Sequence, residues 1–290
     1  MELTPLLDLL LNSVDSVFLK CGSAVITPNY DSLLTSPISQ PFTLITQITG
    51  APILFGFENT LTRVEPGEAL IVPANTVYTL KLIDDKKAVT SWLNLNYTIM
   101  EHFSIFDFIH TPFIASSEIG DEIGKLHARF MHIGSQELDY EKALTWAVEL
   151  KQLLFAMLTV IVSTSRYKEG SLDKLNQVKH FNKVFGYIEE HLAEKIKIPQ
   201  LAQLMYLSTS QFHKQFQEAF DISPLQYVRM QRYKKAQFLL ATTPMTMSDI
   251  AEQIGFDSPI PFFRFFKSMN GVSPGHYRKV IAGNLNSEPI

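Results

Sequence analysis

The stretch Met247-Ser248-Asp249-Ile250-Ala251-Glu252-Gln253-Ile254-Gly255-Phe256-Asp257-Ser258-Pro259-Ile260-Pro261-Phe262-Phe263-Arg264-Phe265-Phe266-Lys267 decides how the C-terminal part of this chain folds. Met247 to Ile254 reads as a short helix, and Gly255 supplies a residue able to take a positive φ at its C-terminal end. Ser258 followed by Pro259 reads as an N-cap with proline at the first helical position, so a new helix must start there. Helix, tight turn and second helix are the grammar of a helix-turn-helix.

The pattern is a repeat. Leu201-Ala202 recurs as Ile250-Ala251, 49 positions on. After a one-residue insertion, Ser208, Phe212, Lys214, Phe216, Ser223, Pro224 and Tyr227 recur at an offset of 50 as Ser258, Phe262, Arg264, Phe266, Ser273, Pro274 and Tyr277. In the first copy Pro199 to Tyr206 is the short helix and Ser208 caps the next one. Phe212 with Phe216, and Phe262 with Phe266, lie four apart and share a face that can be buried. The opposite face points outward: Ser210, Gln211, His213, Lys214 and Gln217 in the first copy, Ile260, Phe263, Arg264 and Lys267 in the second. Such a helix fits the major groove of B-DNA, about 12 Å wide, where Arg or Lys reaches guanine and Gln adenine. On spacing alone, a pair of structural hairpins with solvated basic residues is the alternative. Gln226 to Ala241, with Val228, Gln231-Arg232, Lys235-Ala236 and Leu239-Leu240, reads as one connecting helix; about 15 residues span some 20–25 Å. It would hold the two recognition helices apart so that one chain enters successive major-groove segments about 34 Å apart.

Outward from the repeat, Leu175 to Ile281 reads as consecutive short helices starting at Ser, Asp or Pro. Arg166 to Leu172, with Ser165, Gly170 and Ser171, is linker-like. Before it, Ile119, Ile123, Leu126, Phe130 and Ile133 fall at helical spacing, as do Leu144, Ala147, Val148, Leu150, Leu153, Leu154, Met157, Leu158 and Ile161. The second of these helices is apolar over more than one face, so it is either sandwiched inside the chain or pairs two chains. From about Val17 to Ile109, short apolar runs broken by turn residues read as strands of a small barrel or sandwich: Ala24-Val25-Ile26, Phe42 to Ile48, Ile53 to Phe57, Ala69 to Val72 and Ser91 to Leu95. The expected organisation is an α+β multidomain chain: a β domain over 1–115, a helical connector over 116–170 and an all-α domain with two helix-turn-helix motifs over 171–290.

At 46% hydrophobic and 19% charged, with mean hydropathy +0.06, the 290 residues are too apolar for a disordered chain and too mixed for a membrane bundle. Cys21 is the single cysteine, which excludes an intrachain disulfide and a thiolate zinc site and fits a reducing compartment. The opening Met1-Glu2-Leu3-Thr4-Pro5 lacks a basic n-region, so no secretory signal and a cytoplasmic location are expected. Ser32 to Phe57 is interrupted by Pro37, Pro41 and Pro52, and Gln152 to Ser165 is shorter than the about 20 residues a membrane span requires. Charge is uneven. Up to residue 179 there are 13 Lys and Arg against 20 Asp and Glu, and from His180 onward 12 against 9, so the C-terminal part is the basic one.

The repeat region resembles the AraC/XylS family of bacterial transcription regulators. The family's C-terminal signature is met by Ala251, Gly255-Phe256, Phe262, Arg264, Phe266-Lys267, Gly271-Val272-Ser273-Pro274 and Tyr277-Arg278. Upstream it is met by Leu201-Ala202, Leu207-Ser208, Ser223-Pro224, Tyr227, Arg232, Ala236 and Leu239-Leu240, so that the resemblance covers about 100 residues. Two positions depart from the family. Asp221 stands where glycine is usual, and Pro259-Ile260-Pro261 opens the second recognition helix where relatives carry polar residues. Ile260 and Phe263 can touch a thymine methyl but cannot donate to a base edge. The first copy is therefore expected to read most of the sequence, and the second mainly to hold phosphates through Arg264 and Lys267.

Pro66-Gly67-Glu68-Ala69-Leu70-Ile71-Val72-Pro73 resembles the Pro-Gly-x5-Pro turn and strand of the cupin-like sensing barrel that many such regulators carry. Enzymatic cupins place histidines and a glutamate near this strand. Here Val72 to Leu80 offers Asn75 and Tyr78 but no histidine, and His102, His110, His127 and His132 are scattered, so no metal site or cofactor is expected. Tyr78, Trp92 and Asn94 are the candidates to line an effector pocket, with plain core packing as the alternative. The resemblance implies a ligand-responsive regulator, not an enzyme, that binds double-stranded DNA as a homodimer. It senses a small-molecule effector, such as a sugar or related metabolite, and contacts RNA polymerase as an activator, though the residues equally fit repression. The rival is a metal-dependent cupin enzyme with a helical appendix.

Overall fold

The structure is a computed structural model that describes residues 10, 13–26, 39–83, 86–136 and 141–285. The chain divides after Glu169 into two compact units, the second being Gly170–Leu285.

The first unit is built from β1 (Val14–Ile26), β2 (Thr43–Gly50), β3 (Ile53–Phe57), β4 (Thr60–Val64), β5 (Ala69–Val72), β6 (Tyr78–Leu82), β7 (Ala88–Ile99), β8 (Phe103–Ser104), β9 (Ile109–His110), β10 (Ile114–Ala115) and β11 (Arg166–Tyr167). One sheet runs β1-β7-β2-β5-β10, with β8 on β7; a second runs β4-β3-β6. The ladders are antiparallel, with Trp92 opposite Gly22 on one side and Thr46 on the other. Ile26, Leu44, Ile48, Val72 and Trp92 from the large sheet meet Ile53, Phe55, Tyr78 and Leu80 from the small one in a single apolar core. Strand spacing leaves a barrel and a sandwich open, and the cupin-like barrel that the resemblance implies is not closed among the described residues. Among the described residues the short strands β3, β4 and β6 pair only with one another, so two sheets lie over one core, and β9 with β11 forms a third, two-stranded sheet.

Successive side chains of a strand point to opposite faces, so the residues of β7 alternating with Trp92 and Asn94 are left to be covered from outside. Two helices do this, α1 (Ser117–Gly134) and α2 (Ala143–Ser163). On α1 the buried stripe is Gly120, Ile123, His127 and Phe130. Phe130 stacks on Phe18 at 5.2 Å, and His127 Nε2 lies 2.8 Å from the Gly22 carbonyl oxygen, where burial holds its imidazole below the usual histidine range. On α2, Leu153, Leu154, Met157, Leu158, Val160 and Ile161 are buried, and Tyr97 Oη donates to the Leu154 carbonyl at 2.6 Å. Lys151 Nζ donates to Asp15 Oδ1 at 2.6 Å and to the Ser16 carbonyl at 2.9 Å, and holds the Asp15 carboxyl below its ordinary value. At 21 residues α2 extends well before the uncharged run that starts at Gln152, and by length and composition alone it is long and apolar enough to cross a membrane. Its opposite face is exposed: Leu144, Val148, Phe155 and Val162 form one stripe with Gln152 and Thr159 between them.

The second unit contains α3 (Ser171–His180), α4 (Asn182–Glu190), α5 (Ile198–Leu204), α6 (Thr209–Phe220), α7 (Pro224–Thr242), α8 (Met247–Gln253), α9 (Pro259–Asn270) and α10 (Pro274–Leu285). Two aromatic clusters organise it. Phe181 is ringed by Phe185, Phe212, Phe216 and Phe220 at 5.4–6.5 Å, with Tyr227 5.0 Å from Phe185. Phe266 packs on Phe262, Tyr277 and Tyr233 at 5.3–6.0 Å. Aromatic rings at such separations add about 0.5–1.5 kcal/mol per pair beyond the area they bury.

Candidate nucleic-acid interface

The α5–α6 pair follows from capping chemistry. Pro199 sits in the first turn of α5, and after the turn Ser208 caps α6. Ser208 Oγ accepts from the Gln211 backbone N–H at 3.3 Å, and Gln211 Oε1 accepts from the Ser208 N–H at 3.2 Å. Two otherwise orphaned donors are thereby satisfied, an arrangement whose loss costs about 0.5–2 kcal/mol. Phe212 and Phe216 are fully buried. With those two fixed inward, Ser210, Gln211, His213, Lys214 and Gln217 are all exposed. The side-chain oxygen of Gln211 accepts from the Ser208 N–H and hydroxyl, so the hydrogen-bonding group it has left to offer is its amide N–H. Lys214 Nζ lies 3.8 Å from Glu218 Oε1, with both side chains mostly in solvent. Asp221 ends α6 in the left-handed region at φ 58, the position where the second copy has Gly271 at φ 85.

The α8–α9 pair repeats the layout with a different chemistry at its mouth. Thr246 caps α8 reciprocally with Asp249, and Gly255 turns the chain at φ 81. Ser258 makes no side-chain cap hydrogen bond. One of the two N–H groups that such a hydroxyl could receive is missing, because the residue three positions on is Pro261. Phe262 and Phe266 are fully buried, while Ile260 is 63% exposed and Phe263 40%. Arg264 and Lys267 are exposed beside them. At the offset of 50, the outward residues Ser210, His213, Lys214 and Gln217 correspond to Ile260, Phe263, Arg264 and Lys267.

Between the pairs runs α7. Ser223 Oγ accepts from the Gln226 N–H and Pro224 occupies the first turn, so the helix starts two residues before the expected Gln226 and spans 19 residues. That is about 28 Å at 1.5 Å per residue. Ser223-Pro224 carries the same capping signal as Ser258-Pro259, so the earlier start was available to the eye.

Of the effector candidates, Tyr78 is buried on β6, its Oη accepting from Gln40 Nε2 at 3.2 Å, and desolvation pushes its phenol far above the usual tyrosine range. Trp92 is buried against Gly22, where a Cβ would stand 2.6 Å from the indole. Tyr78 and Trp92 share the core between the sheets. Asn94 lies two residues along β7 on the Trp92 face, 3% exposed, and its Oδ1 has no hydrogen-bond partner among the described residues. Gln40 escaped sequence reading because nothing in the run before Pro41 marks an inward polar residue. Among the described residues no three His, Cys, Asp or Glu side chains are placed to hold a metal.

Residues 201–280 match the family described as a helix-turn-helix domain. The arabinose operon regulatory protein of Escherichia coli (strain K12) is 37% identical over 105 residues, 36% of this chain and 36% of that protein. The probable transcriptional regulator LumQ of Photobacterium leiognathi is 34% identical over 112 residues, 39% of this chain and 44% of that protein. The chain thus spans less than half the length of these curated relatives. ToxT from Vibrio cholerae O395 is similar in fold at 12% identity and a TM-score of 0.50, over 94% of this chain and 99% of that one.

Proposed function

We propose that the chain is a ligand-responsive transcription regulator of the AraC type that enters two successive major-groove segments of one duplex through α6 and α9, a reading supported by the helix-turn-helix match over residues 201–280 and by the 37% identity to the arabinose operon regulatory protein over 105 residues. The observation that carries this reading is the repeated pair of capped helices, each pinned by two buried phenylalanines and each turning the same four positions outward. In the first motif those positions hold hydrogen-bonding side chains; in the second they hold Ile260 and Phe263 beside two cations. The first therefore supplies base readout through Ser210, His213, Lys214, Gln217 and the Gln211 amide. The second anchors phosphates through Arg264 and Lys267 and reads thymine methyl groups.

The sheet-rich unit is the sensor. The unpartnered oxygen of Asn94, on the inward face with Trp92, accepts a hydrogen bond from an effector hydroxyl or N–H such as a sugar supplies, because a buried acceptor left unsatisfied costs about 1–3 kcal/mol. The exposed stripe of α2 joins two chains into a homodimer, which binds in the cytoplasm and acts on RNA polymerase. An effector switches the protein only by the difference in its affinity for two arrangements.

The experiment is made with a duplex selected from a random library by the full-length protein. Uracil replaces thymine in one contacted segment at a time, removing only methyl groups. Affinity should fall about 3- to 10-fold for the segment under α9, the scale of one or two buried methyls, and stay within twofold for the segment under α6. Equal responses in the two segments would refute the division of labour, and failure to select any duplex would refute DNA binding itself.

A further inference from the structure

Arg232 stands in the middle of α7 with its guanidinium between the two helix pairs. Its Nε donates to the Leu192 carbonyl oxygen at 3.1 Å and its Nη2 to the Glu194 carbonyl oxygen at 2.6 Å. Both carbonyls belong to the segment joining α4 to α5, the entry to the first motif. The same guanidinium lies 5.9 Å from the ring centroid of Phe256, in the turn of the second motif. That turn comes so close that a Cβ on residue 255 would stand 2.7 Å from Arg232 Nη2 and 2.9 Å from the Ala193 carbonyl oxygen. Gly255 is therefore required twice, by its φ of 81 and by this approach.

The rest of α7 shows why one side chain matters here. Its first turns belong to the first motif's aromatic core, since Tyr227 packs 5.8 Å from Phe216. Its middle is fastened to α9: Arg229 Nη2 donates to Ser268 Oγ at 3.0 Å with its Cζ 5.6 Å from the Phe265 centroid, and Asn270 Nδ2 donates to Tyr233 Oη at 2.5 Å. The helix is thus a rod carrying one motif at each end, and a rod alone leaves its ends free to pivot. Arg232 adds a cross-brace, from the loop entering the first motif to the turn of the second. Only a planar fork can donate to two carbonyls at once and still offer a flat face to a ring; a lysine ammonium cannot.

We infer that Arg232 is a positioning residue that registers the two helix-turn-helix motifs against each other and so sets the spacing between the two DNA segments the protein accepts. This rests on the reading that both motifs enter one duplex. A single inserted base pair moves the second segment by about 3.4 Å and turns it by about 34°, a shift that a braced pair of helices resists and an unbraced pair follows.

The test uses the full-length chain and the library-selected duplex, together with versions carrying one base pair more or fewer between the two contacted segments. The wild-type protein should lose about 30-fold or more in affinity on either change, comparable to the loss from one or two mismatched base pairs. Arg232→Gln should bind the original spacing about 10-fold more weakly, as the free motifs then lose their shared effective concentration, while its affinities for the three spacings converge to within about threefold. Gly255→Ala, which drives a methyl into the same contact from the other side, should converge likewise. If Arg232→Gln does not fold, Arg232→Lys is read by the same ratio. Retention of the wild-type spacing penalty by these variants, whatever their absolute affinity, would overturn the inference. Wild-type protein that binds no duplex would overturn the reading beneath it.

Discussion

Replacing Lys214 and Arg264 together with alanine should weaken binding to the selected duplex by about 100-fold at physiological salt, because each outward cation at a groove contributes about 1–3 kcal/mol. The thermal midpoint should hardly move. Lys214 makes one exposed pair with Glu218 at 3.8 Å, and such helix pairs are worth about 0.3–0.5 kcal/mol. Arg264 is an exposed residue between two buried phenylalanines, so truncating it disturbs no packing. The salt response separates DNA contact from a structural role: the slope of log affinity against log salt should become shallower by about 1 for each phosphate contact removed. A fall in stability with an unchanged slope would show that the two cations serve the fold. Titrations by fluorescence anisotropy at four salt concentrations, with a melting curve for each variant, measure both quantities.

The second large effect is expected at α2. Leu144 is 77% exposed, Val148 50%, Phe155 42% and Val162 38%, all along one stripe of a helix whose opposite face is packed on its own sheet. Apolar residues in such a row are costly to leave in water, at about 25 cal/mol for each Å², and a second copy of the same helix offers a matching row. Val148→Glu with Phe155→Glu should shift the protein from twice its 32.9 kDa chain mass to a monomer in analytical ultracentrifugation. Affinity for a duplex with paired sites should fall by about 10²-fold or more, the loss expected when one of two linked binding events is cut loose. Affinity for a duplex with a single site should stay the same. A wild-type protein that sediments as a monomer, or a variant that remains dimeric, would contradict this contact, and loss of single-site binding as well would show that the substitutions disturb the fold.

Legibility followed the range of the interactions. Helices α6 and α9 could be read because their signals are local: Ser208 and Ser258 at the N-cap positions, Phe212 with Phe216 and Phe262 with Phe266 as buried pairs, and a turn at Gly255. Ser258 stands at the N-cap position as expected, but the side-chain cap hydrogen bond that its identity suggests is not made. Strand positions such as Ile53 to Phe57 and Ala69 to Val72 were legible as apolar runs. Their pairing was not, because β1 lies against β7 across more than sixty residues and register depends on the partner strand. For the same reason strand spacing leaves a barrel and a sandwich both open, and only the pairing shows two sheets facing each other over one core among the described residues. Arg232 could be seen as part of a helix, whereas its partners are carbonyls 38 and 40 residues away that no side-chain pattern announces. The sequence names Asn94 as a candidate to line an effector pocket, with core packing as the alternative; what it does not show is that the Asn94 oxygen is buried without a donor among the described residues.

Hydroxyl-radical footprinting of the full-length protein on its selected duplex tests the central claim most directly, since that claim is geometric. Two helices held by one linker should protect two segments on the same face of the duplex, with centres about 10–10.5 base pairs apart. For each chain bound, that pair of protections is the result expected. A single protected segment, or two on opposite faces of the duplex, would contradict it.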